Sequence, residues 1–315
     1  MQASVIAVLG PTAVGKSGLG LGLARALGGE VVNADSMQLY QGMDIGTAKL
    51  TPDQRDGIPH HLLDVWDIRQ TASVAEYQRL ARAAIEDIQA RGRVPILVGG
   101  SGLYIRAALD NLRFPGTDPE LRERFEAELA RTGPGPLHDR LATLDPAAAA
   151  AILPSNGRRI VRALEVIELS GGSFSATLPG YESVYPAVQL GVQIGRKELD
   201  LHIAERAERM WQDGFVAEVR ALEQRGLRSG MTASRALGYA QVLRFLAGEC
   251  SPEHALLETV RATRKFARKQ ESWFRRDPRV SWLDAGQGMP EMLACAMATI
   301  GACGSPRGTV PRTTS

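Results

Sequence analysis

The feature that most constrains this chain is its beginning, where the apolar run SVIAVL breaks into GPTAVGKS and then into a helical pattern. This segment has the P-loop spacing G-x-x-x-x-G-K-S, with a buried strand predicted before it and a helix predicted over about 15–27. Its glycines allow a tight turn in which backbone N–H groups converge at the positive end of a helix dipole. The residues predicted to bind a nucleotide such as ATP, or another polyphosphate, are Gly10, Pro11, Thr12, Ala13, Val14, Gly15, Lys16 and Ser17.

Two side chains of this loop carry specific expectations. Lys16 is predicted to reach the terminal phosphates as a point charge, and the Ser17 hydroxyl is placed to bind a Mg²⁺ ion that bridges them. Magnesium is therefore the expected cofactor.

Composition narrows the class of protein. The 315 residues, 44% of them hydrophobic, are enough for a large core and an appended unit. The net charge of +2 excludes a global attraction to nucleic acid, so any such contact needs local clusters of Lys and Arg. The three cysteines form no CxxC pair, no apolar run approaches the ~20 residues of a membrane span, and no signal peptide is indicated. We expect a cytoplasmic, monomeric enzyme without a membrane partner.

Two further strands are predicted to end beside the P-loop. The strand EVVN leads into Asp35, which is a candidate acid or base because ligand groups gather at the carboxyl ends of parallel strands. A turn-forming or helix-capping role for this aspartate is the alternative. The strand PILV ends in GGSGLY, where many P-loop ATPases carry an acid, so ATP hydrolysis is disfavoured. Lys49 is expected to add positive charge near a polyanion, whereas the adjacent His60 and His61 do not have the pattern of a metal site.

The middle of the chain changes character. From about Pro115 to Pro186 strand alternation is absent, and the pattern predicts short helices, the first capped by Asp118 and Pro119. We therefore predict an α/β fold, a P-loop NTPase-like core with a parallel sheet plus an all-helical insertion domain. The predicted divisions are core 1–114, insertion 115–186, core 187–285, and 286–315 with a terminal helix and a disordered tail from about residue 301.

Basic residues cluster on two predicted helices. Arg158, Arg159 and Arg162 recur on one helix of the insertion, where solvated arginines are the alternative to a phosphate contact. A longer helix begins at the Ser251-Pro252 cap, and its positive charge favours RNA or DNA over a merely solvated face. We call its basic residues the basic stripe: Arg261, Arg264, Lys265, Arg268 and Lys269.

Several segments together resemble one family. GPTAVGKS, ADSMQLYQGMDIGTAK, PHHLLD, VGGSGLY, RRIVRALEV, SRALGYAQ and TRKFARKQESWF have the order and spacing seen in the bacterial tRNA dimethylallyltransferases, the isopentenyl-tRNA (IPP) transferase family. The resemblance covers about residues 4–284. It implies transfer of a dimethylallyl group from dimethylallyl diphosphate to the exocyclic amine of the adenosine immediately 3′ of the anticodon in the tRNA anticodon stem-loop. It also implies that the P-loop holds a prenyl diphosphate.

The resemblance assigns roles to individual residues. Attack of an amine on an allylic carbon needs a base near the amine and cations around the departing pyrophosphate. By similarity Asp35 is the general base, Thr12 hydrogen-bonds the diphosphate, and Lys16, Arg206 and Ser17 with Mg²⁺ stabilise it. The adenosine must also be flipped into a channel between core and insertion.

The tRNA-binding residues implied by similarity belong to four short segments. They are Asp35, Ser36, Met37, Gln38, Ser101, Glu123, Arg124, Arg159, Ile160, Val161, Arg162 and Ala163. The charge pattern of the basic stripe adds Arg264 and Arg268 as expected contacts with the tRNA backbone. Ser101 and Ser272 stand where the family usually has Thr, which keeps the hydroxyl. Leu153 stands where the family commonly has His, and Asn156 stands where it usually has Asp. These two changes affect the expectation of a local contact at the mouth of the insertion.

Two other classes of function remain at this point. In a small-molecule P-loop kinase, ATP would fill the loop and Asp35 would accept a hydroxyl proton. A non-catalytic RNA-binding module explains the basic stripe but leaves the P-loop without a role.

Overall fold

The computed structural model describes residues 4–174 and 178–304. Within these ranges six strands form one sheet. They are β1 (Val5–Leu9), β2 (Gly29–Asn33), β3 (His60–His61), β4 (Val94–Gly99), β5 (Ala187–Gln193) and β6 (Val280–Asp284). The two-residue strand β3 was not predicted, because so short a segment carries no alternating pattern.

The sheet has the order β3-β2-β4-β1-β5-β6, and every neighbouring pair is parallel. All five residues of β1 are buried, as expected for a central strand whose two faces are both covered. Leu9 pairs with Gly99, and Asn33 pairs with Val98. The carboxyl ends of β2, β4 and β1 therefore lie side by side, which is the arrangement expected from the sequence.

Twelve helices are described. They are α1 (Lys16–Leu27), α2 (Val74–Ala90), α3 (Gly102–Leu109), α4 (Pro119–Thr132), α5 (Pro134–Leu144), α6 (Pro146–Ala151), α7 (Gly157–Ser170), α8 (Arg196–Gln212), α9 (Phe215–Gln224), α10 (Tyr239–Leu246), α11 (Pro252–Phe274) and α12 (Met289–Gly304). Short 3₁₀ turns lie at Asp53–Arg55, Leu227–Ser229, Ala233–Arg235 and Ala285–Gln287.

Local signals determine several helix ends. The side chains of Ser73, Asp118 and Ser251 accept hydrogen bonds from backbone N–H groups of the first turns of α2, α4 and α11. Asn156 caps α7 in the same way by accepting from the Arg159 N–H. Asparagine and aspartate cap equally well, so this departure from the family pattern keeps the helix start intact.

The described residues divide into two compact units, one formed by residues 4–110 and 183–304 and the other lying within residues 111–182. The second unit contains α4 to α7, and it is all-helical as predicted. Its limits lie a few residues before the predicted 115 and 186. Its core is formed by Phe125, Leu137, Leu141, Ile160 and Leu164, all of them essentially inaccessible.

The first unit buries one face of its sheet against α1, α8, α11 and α12. Met292 and Ala296 of α12 belong to the same core as Leu19 and Leu23 of α1. Residues 301–304 continue α12, so the disordered tail predicted from about residue 301 is wrong for these four positions. The remainder of that tail lies outside the described residues. None of the described helices is both long and apolar enough to cross a membrane.

A buried ion pair joins the sheet to α2. Glu30 on β2 accepts hydrogen bonds from Arg91 at both carboxylate oxygens, and His61 Nε2 lies 2.7 Å from its Oε2. The Glu30 side chain is only 7% exposed. The hydrogen bonds from Arg91, with a smaller contribution from His61, lower the pKa of the Glu30 carboxyl to about 2.

We therefore expect Glu30→Gln to destabilise the fold in a pH-dependent way. A depressed folded-state pKa contributes stability that is complete above about pH 4.5 and is lost as the pH falls towards about 2. Solvent at the half-exposed Arg91 screens part of the interaction, so we expect a loss of about 2 kcal/mol at pH 7. Urea unfolding at pH 7 and pH 3 measures it.

The control for this measurement is Glu249→Gln, which removes the exposed ion pair with Arg244. Exposed pairs contribute about 0–1 kcal/mol. Equal losses for the two variants at pH 7 would contradict the role assigned to Glu30.

Candidate active site

The P-loop connects β1 to α1 through an unusual backbone. Gly10 has φ +144° and approaches β5 so closely that a Cβ would lie 2.4 Å from the Val192 carbonyl oxygen. Gly15 has φ +89°, and Ala13 adopts φ +67° although it carries a side chain. Left-handed φ is unfavourable for alanine, so the surrounding structure must hold this residue in place.

The structure brings the predicted catalytic residues to one cavity of about 70 Å³. Residues from the P-loop, from the end of β2 and from α8 line it together. The predicted residues among them are Thr12, Lys16, Ser17, Asp35, Gln38 and Arg206. Arg206 is separated from the P-loop by almost 190 positions, and only the packing of α8 brings it here.

Two half-buried cations dominate the electrostatics of this cavity. Burial lowers the pKa of the Lys16 ammonium to about 8; the Asp35 carboxylate opposes this shift, and the Arg206 guanidinium adds to it. Burial also lowers the pKa of Arg206, and Asp35 again acts in the opposite direction. Lys16 Nζ donates to the Pro11 carbonyl oxygen at 2.6 Å. A bound anion would therefore be favourable here, because it would compensate both cations for the contacts with water that they have lost.

The Asn33 side chain and the Met37 N–H hold Asp35 in place. The Asn33 side chain accepts from the Asp35 N–H at 2.9 Å and donates to the carbonyl oxygens of Asp35 and Leu62, each at 3.0 Å. The Asp35 carboxylate oxygen Oδ1 accepts from the Met37 N–H at 2.9 Å. Asp35 therefore forms the turn that was the alternative for it, and it also lines the cavity; its role as an acid or base stays a prediction.

A loop over residues 44–48 forms another wall. Glu218 on α9 accepts from the backbone N–H groups of Asp44, Ile45 and Gly46. Arg206 and Gln38 both donate to the carbonyl oxygen of Thr47, at 3.3 and 3.1 Å. Asn33 and Glu218 were not predicted from the sequence. Asn33 was detectable as a polar residue at a strand end, whereas Glu218 lies more than 170 positions from its partners and has no local signal.

The expected contribution of Lys49 to a polyanion site is wrong. Its ammonium is buried and donates to Asp44, Asp64 and the Tyr40 carbonyl oxygen at 2.6, 2.6 and 2.9 Å. A lysine has three donors, and all are used within the loop. No group of three His, Cys, Asp or Glu in the described ranges is arranged to hold a metal ion.

The turn after β4 is shaped by close contacts. A Cβ on Gly99 would lie 2.2 Å from the Ala34 carbonyl oxygen, so only glycine permits this approach of the β2 and β4 ends. Ser101 Oγ accepts a hydrogen bond from the Ser36 N–H at 3.3 Å, and the hydroxyl of a threonine could accept the same bond. Glycine after this strand therefore has a steric reason, which an acidic residue would violate.

In the helical unit the predicted tRNA-binding residues separate into two groups. Ile160, Val161 and Ala163 are buried in the unit's own core, which corrects their assignment as contact residues. They lie on the apolar face of an amphipathic helix. Arg159 is exposed, as are Glu123 and Arg124, and Arg124 pairs with Glu168.

Arg162 also differs from the expectation of a phosphate contact. It donates to the buried carboxylate of Glu165 at 2.8 Å and to the carbonyl oxygens of Pro115 and Gly116 at 2.7 and 3.0 Å. Arg122 binds the same carboxylate at 2.6 Å, so Arg122 and Arg162 together neutralise a charge that the unit buries completely.

Fewer residues of the basic stripe on α11 are available for RNA than the sequence predicts. Lys265, Arg268 and Lys269 are exposed and have no ion-pair partner among the described residues. Arg264 instead turns towards α8 and donates to the Asp200 carbonyl oxygen at 3.0 Å, which corrects its assignment to the RNA-facing surface. Arg261 remains exposed and pairs with Glu258 at 2.9 Å.

A second cavity of about 420 Å³ also reaches the P-loop. The backbone of residues 13–15, the α8 side chains Glu198, His202 and Arg209, and the α12 side chains Met289 and Met292 line it. Arg206 lines both cavities, and each cavity is also lined by residues of the P-loop.

Comparison with known proteins gives a consistent result. The model of the family described as IPP transferase matches residues 38–277. The chain is 70% identical over 304 residues to the tRNA dimethylallyltransferase of Thermobifida fusca, covering 95% of both chains. It is 69% identical to the corresponding Streptomyces coelicolor protein, covering 90% of both chains.

Solved structures show the same fold. The full-length tRNA isopentenylpyrophosphate transferase of Bacillus halodurans is 38% identical, with a TM-score of 0.70 over 95% of this chain and 97% of that one. A eukaryotic dimethylallyltransferase, described as acting on tRNA, is 25% identical, with a TM-score of 0.79 over 98% of this chain and 81% of that one. These matches confirm the family resemblance and the P-loop core, and the chain belongs to the IPP transferase family.

Proposed function

We propose that this protein transfers a dimethylallyl group from dimethylallyl diphosphate to the exocyclic amine of the adenosine 3′-adjacent to the anticodon in tRNA, releasing diphosphate. The observation that carries the proposal is the cavity in which Lys16 and Arg206 face Asp35 at the end of the P-loop. Mass spectrometry of nucleosides from tRNA incubated with either dimethylallyl diphosphate or ATP tests it. A mass increase of one dimethylallyl group with the diphosphate alone is the expected result.

The two cations suit the departure of pyrophosphate. Negative charge grows on the leaving group as the allylic C–O bond breaks, and buried cations stabilise that charge more than exposed ones. Lys16 and Arg206 are held in place before the donor arrives, because Lys16 donates to Pro11 and Arg206 donates to Thr47. Backbone N–H groups of the P-loop would hold the remaining diphosphate oxygens.

Asp35 is suited to accept the proton that the amine loses. Its backbone is fixed by Asn33, and Oδ1 accepts from the Met37 N–H. A carboxylate has about four acceptor positions, so this bond leaves capacity for the amine. Gln38 lies in the same cavity, where its amide would contact the edge of a flipped base.

Magnesium would be held by the Ser17 hydroxyl together with oxygens of the diphosphate. Ser17 lines the cavity beside Lys16, and a hydroxyl oxygen is a ligand that this hard cation accepts. When bound, the ion would neutralise part of the charge of the leaving pyrophosphate.

A small-molecule kinase is the weaker reading of the same cavity. Such an enzyme ordinarily holds its magnesium ion with an acid beside the P-loop, and here β4 ends in Gly99, which is packed against Ala34. The relatives named as tRNA dimethylallyltransferases also favour prenyl transfer.

The basic stripe would supply affinity for the tRNA backbone. Lys265, Arg268 and Lys269 are exposed on the same helix, and contacts with phosphate carry no sequence information by themselves. We propose that the protein acts as a monomer, because the P-loop, the end of β2 and α8 of this chain line the cavity together. A reaction on tRNA favours a cytoplasmic location.

We expect Asp35→Asn to lower turnover by roughly 10²-fold or more, the range for loss of a general base. The amide oxygen still accepts from the Met37 N–H, so the turn persists and tRNA affinity changes much less. Single-turnover rates and tRNA binding measure the two effects. Asp53→Asn, at an exposed aspartate, is the matched control. Near-normal turnover of Asp35→Asn would remove this residue from its role.

We expect donor affinity to weaken as the pH rises through about 8, where Lys16 loses its proton in the free protein. The bound diphosphate favours the ammonium form, so binding takes up a proton above that pH. Calorimetric titration with dimethylallyl diphosphate between about pH 7 and pH 9 measures it. Lys16→Arg keeps its charge throughout and should remove this pH dependence; a persistent dependence in that variant would assign the titration to another group.

We expect the double variant Lys265→Ala, Arg268→Ala to bind tRNA more weakly and with a shallower salt dependence. Each lost phosphate contact lowers the slope of log affinity against log salt by about 1, so the pair should lower it by about 2. Arg25→Ala, Arg244→Ala removes two exposed arginines elsewhere and is the control. Equal slopes in the wild type and the stripe variant would show that the stripe is only solvated.

A further inference from the structure

Gln270 is a polar residue on the buried face of α11. It is 7% exposed, and Ala267 and Phe274 on the same face are buried too. Both ends of its amide are used. Oε1 accepts from the Thr12 N–H at 3.0 Å, and Nε2 donates to the Gly100 carbonyl oxygen at 2.8 Å. One side chain therefore joins two loops that are separated by almost ninety positions in the sequence.

The first of these loops is the P-loop. Thr12 immediately precedes Ala13, whose φ of +67° is unfavourable for an alanine. The hydrogen bond from the Thr12 N–H to Gln270 restricts the backbone immediately before Ala13. This N–H is thereby directed to Gln270, and the N–H groups of the following P-loop residues remain for the diphosphate.

The second loop is the turn after β4. A Cβ on Gly100 would lie 2.3 Å from Gln270 Nε2, so the approach of the amide requires glycine at this position. The flanking residues contact the segment that carries Asp35, because Gly99 packs on the Ala34 carbonyl oxygen and Ser101 Oγ accepts from the Ser36 N–H. Through this turn, the position of Gln270 is transmitted to both sides of Asp35.

We propose that Gln270 is a positioning residue for the transfer, which sets the P-loop and the segment bearing Asp35 at the separation that the reaction needs. The inference rests on the proposed function, since it assumes that the diphosphate lies in the P-loop and that Asp35 acts on the amine. Its two amide hydrogen bonds go to backbone atoms, so Gln270 acts through Thr12 and Gly100. An amide is suited to this role because it donates and accepts at the same time.

Two substitutions separate positioning from simple packing. Gln270→Met keeps length and volume but neither donates to Gly100 nor accepts from Thr12. We expect it to lower kcat by about 10²-fold, the effect of a small misplacement of reacting groups, while tRNA affinity stays at the wild-type value. Gln224→Met, at an exposed glutamine on α9, makes the same chemical change away from the site and should retain wild-type activity.

Gln270→Glu adds a pH readout. As a carboxylate it accepts from the Thr12 N–H but is repelled by the Gly100 carbonyl oxygen; as a neutral acid it donates to that oxygen as the amide does. Burial raises the pKa of such a carboxyl towards neutrality. The rate of Gln270→Glu relative to wild type should therefore rise by about 10-fold or more from pH 8.5 to pH 6. Protonation of one group changes this ratio by at most about 10-fold per pH unit. The same ratio for Gln270→Met should not change with pH.

The outcomes are distinct. Wild-type kcat in Gln270→Met, or a flat ratio for Gln270→Glu, overturns the positioning role, and the second result applies even if Gln270→Met fails to fold. If the wild type itself transfers no dimethylallyl group, the proposed function fails instead. The affinity of the same variants for inorganic pyrophosphate then tests whether Gln270 positions the P-loop. We expect Gln270→Met to bind pyrophosphate about 10-fold more weakly than wild type. Unchanged binding would overturn the proposal.

Discussion

The convergence of three parallel strand ends is the constraint on which the candidate site depends. β4 lies between β1 and β2, so the P-loop and the segment bearing Asp35 are separated by one strand. They approach each other because β4 ends in Gly99 and is followed by Gly100, where a Cβ would collide with Ala34 or with Gln270 respectively. Small residues at that position are thus a steric requirement of the site as well as a feature of its motif.

Burial of positive charge is the second requirement. Lys16 and Arg206 are kept in a cavity where desolvation lowers the pKa of each. Such an arrangement is unfavourable in the free protein and is relieved by an anion, so binding of a diphosphate and stabilisation of the departing pyrophosphate follow from the same interaction. Asp35 balances part of this charge and is the group that a substrate proton would reach.

Backbone groups around the cavity are satisfied by side chains from distant elements. Glu218 from α9 holds the loop over residues 44–46, and Gln270 from α11 holds Thr12 and Gly100. Loops of unusual conformation need such partners, because their N–H and C=O groups have no regular ladder to join. The α11 helix therefore serves the site on its buried face and presents Lys265, Arg268 and Lys269 on its exposed face.

The sequence by itself determined the P-loop, the parallel sheet, the helical unit, the helix caps and the position of Asp35 just after a strand. These features depend on interactions within a few positions, which short patterns record. Only the tertiary structure decided that Lys49 is neutralised within its own loop, that Arg264 turns to Asp200, and that Ile160 packs in a core. It alone revealed Gln270 between two loops, because partners separated by tens to hundreds of positions are chosen by strand order and helix packing, which no local pattern encodes.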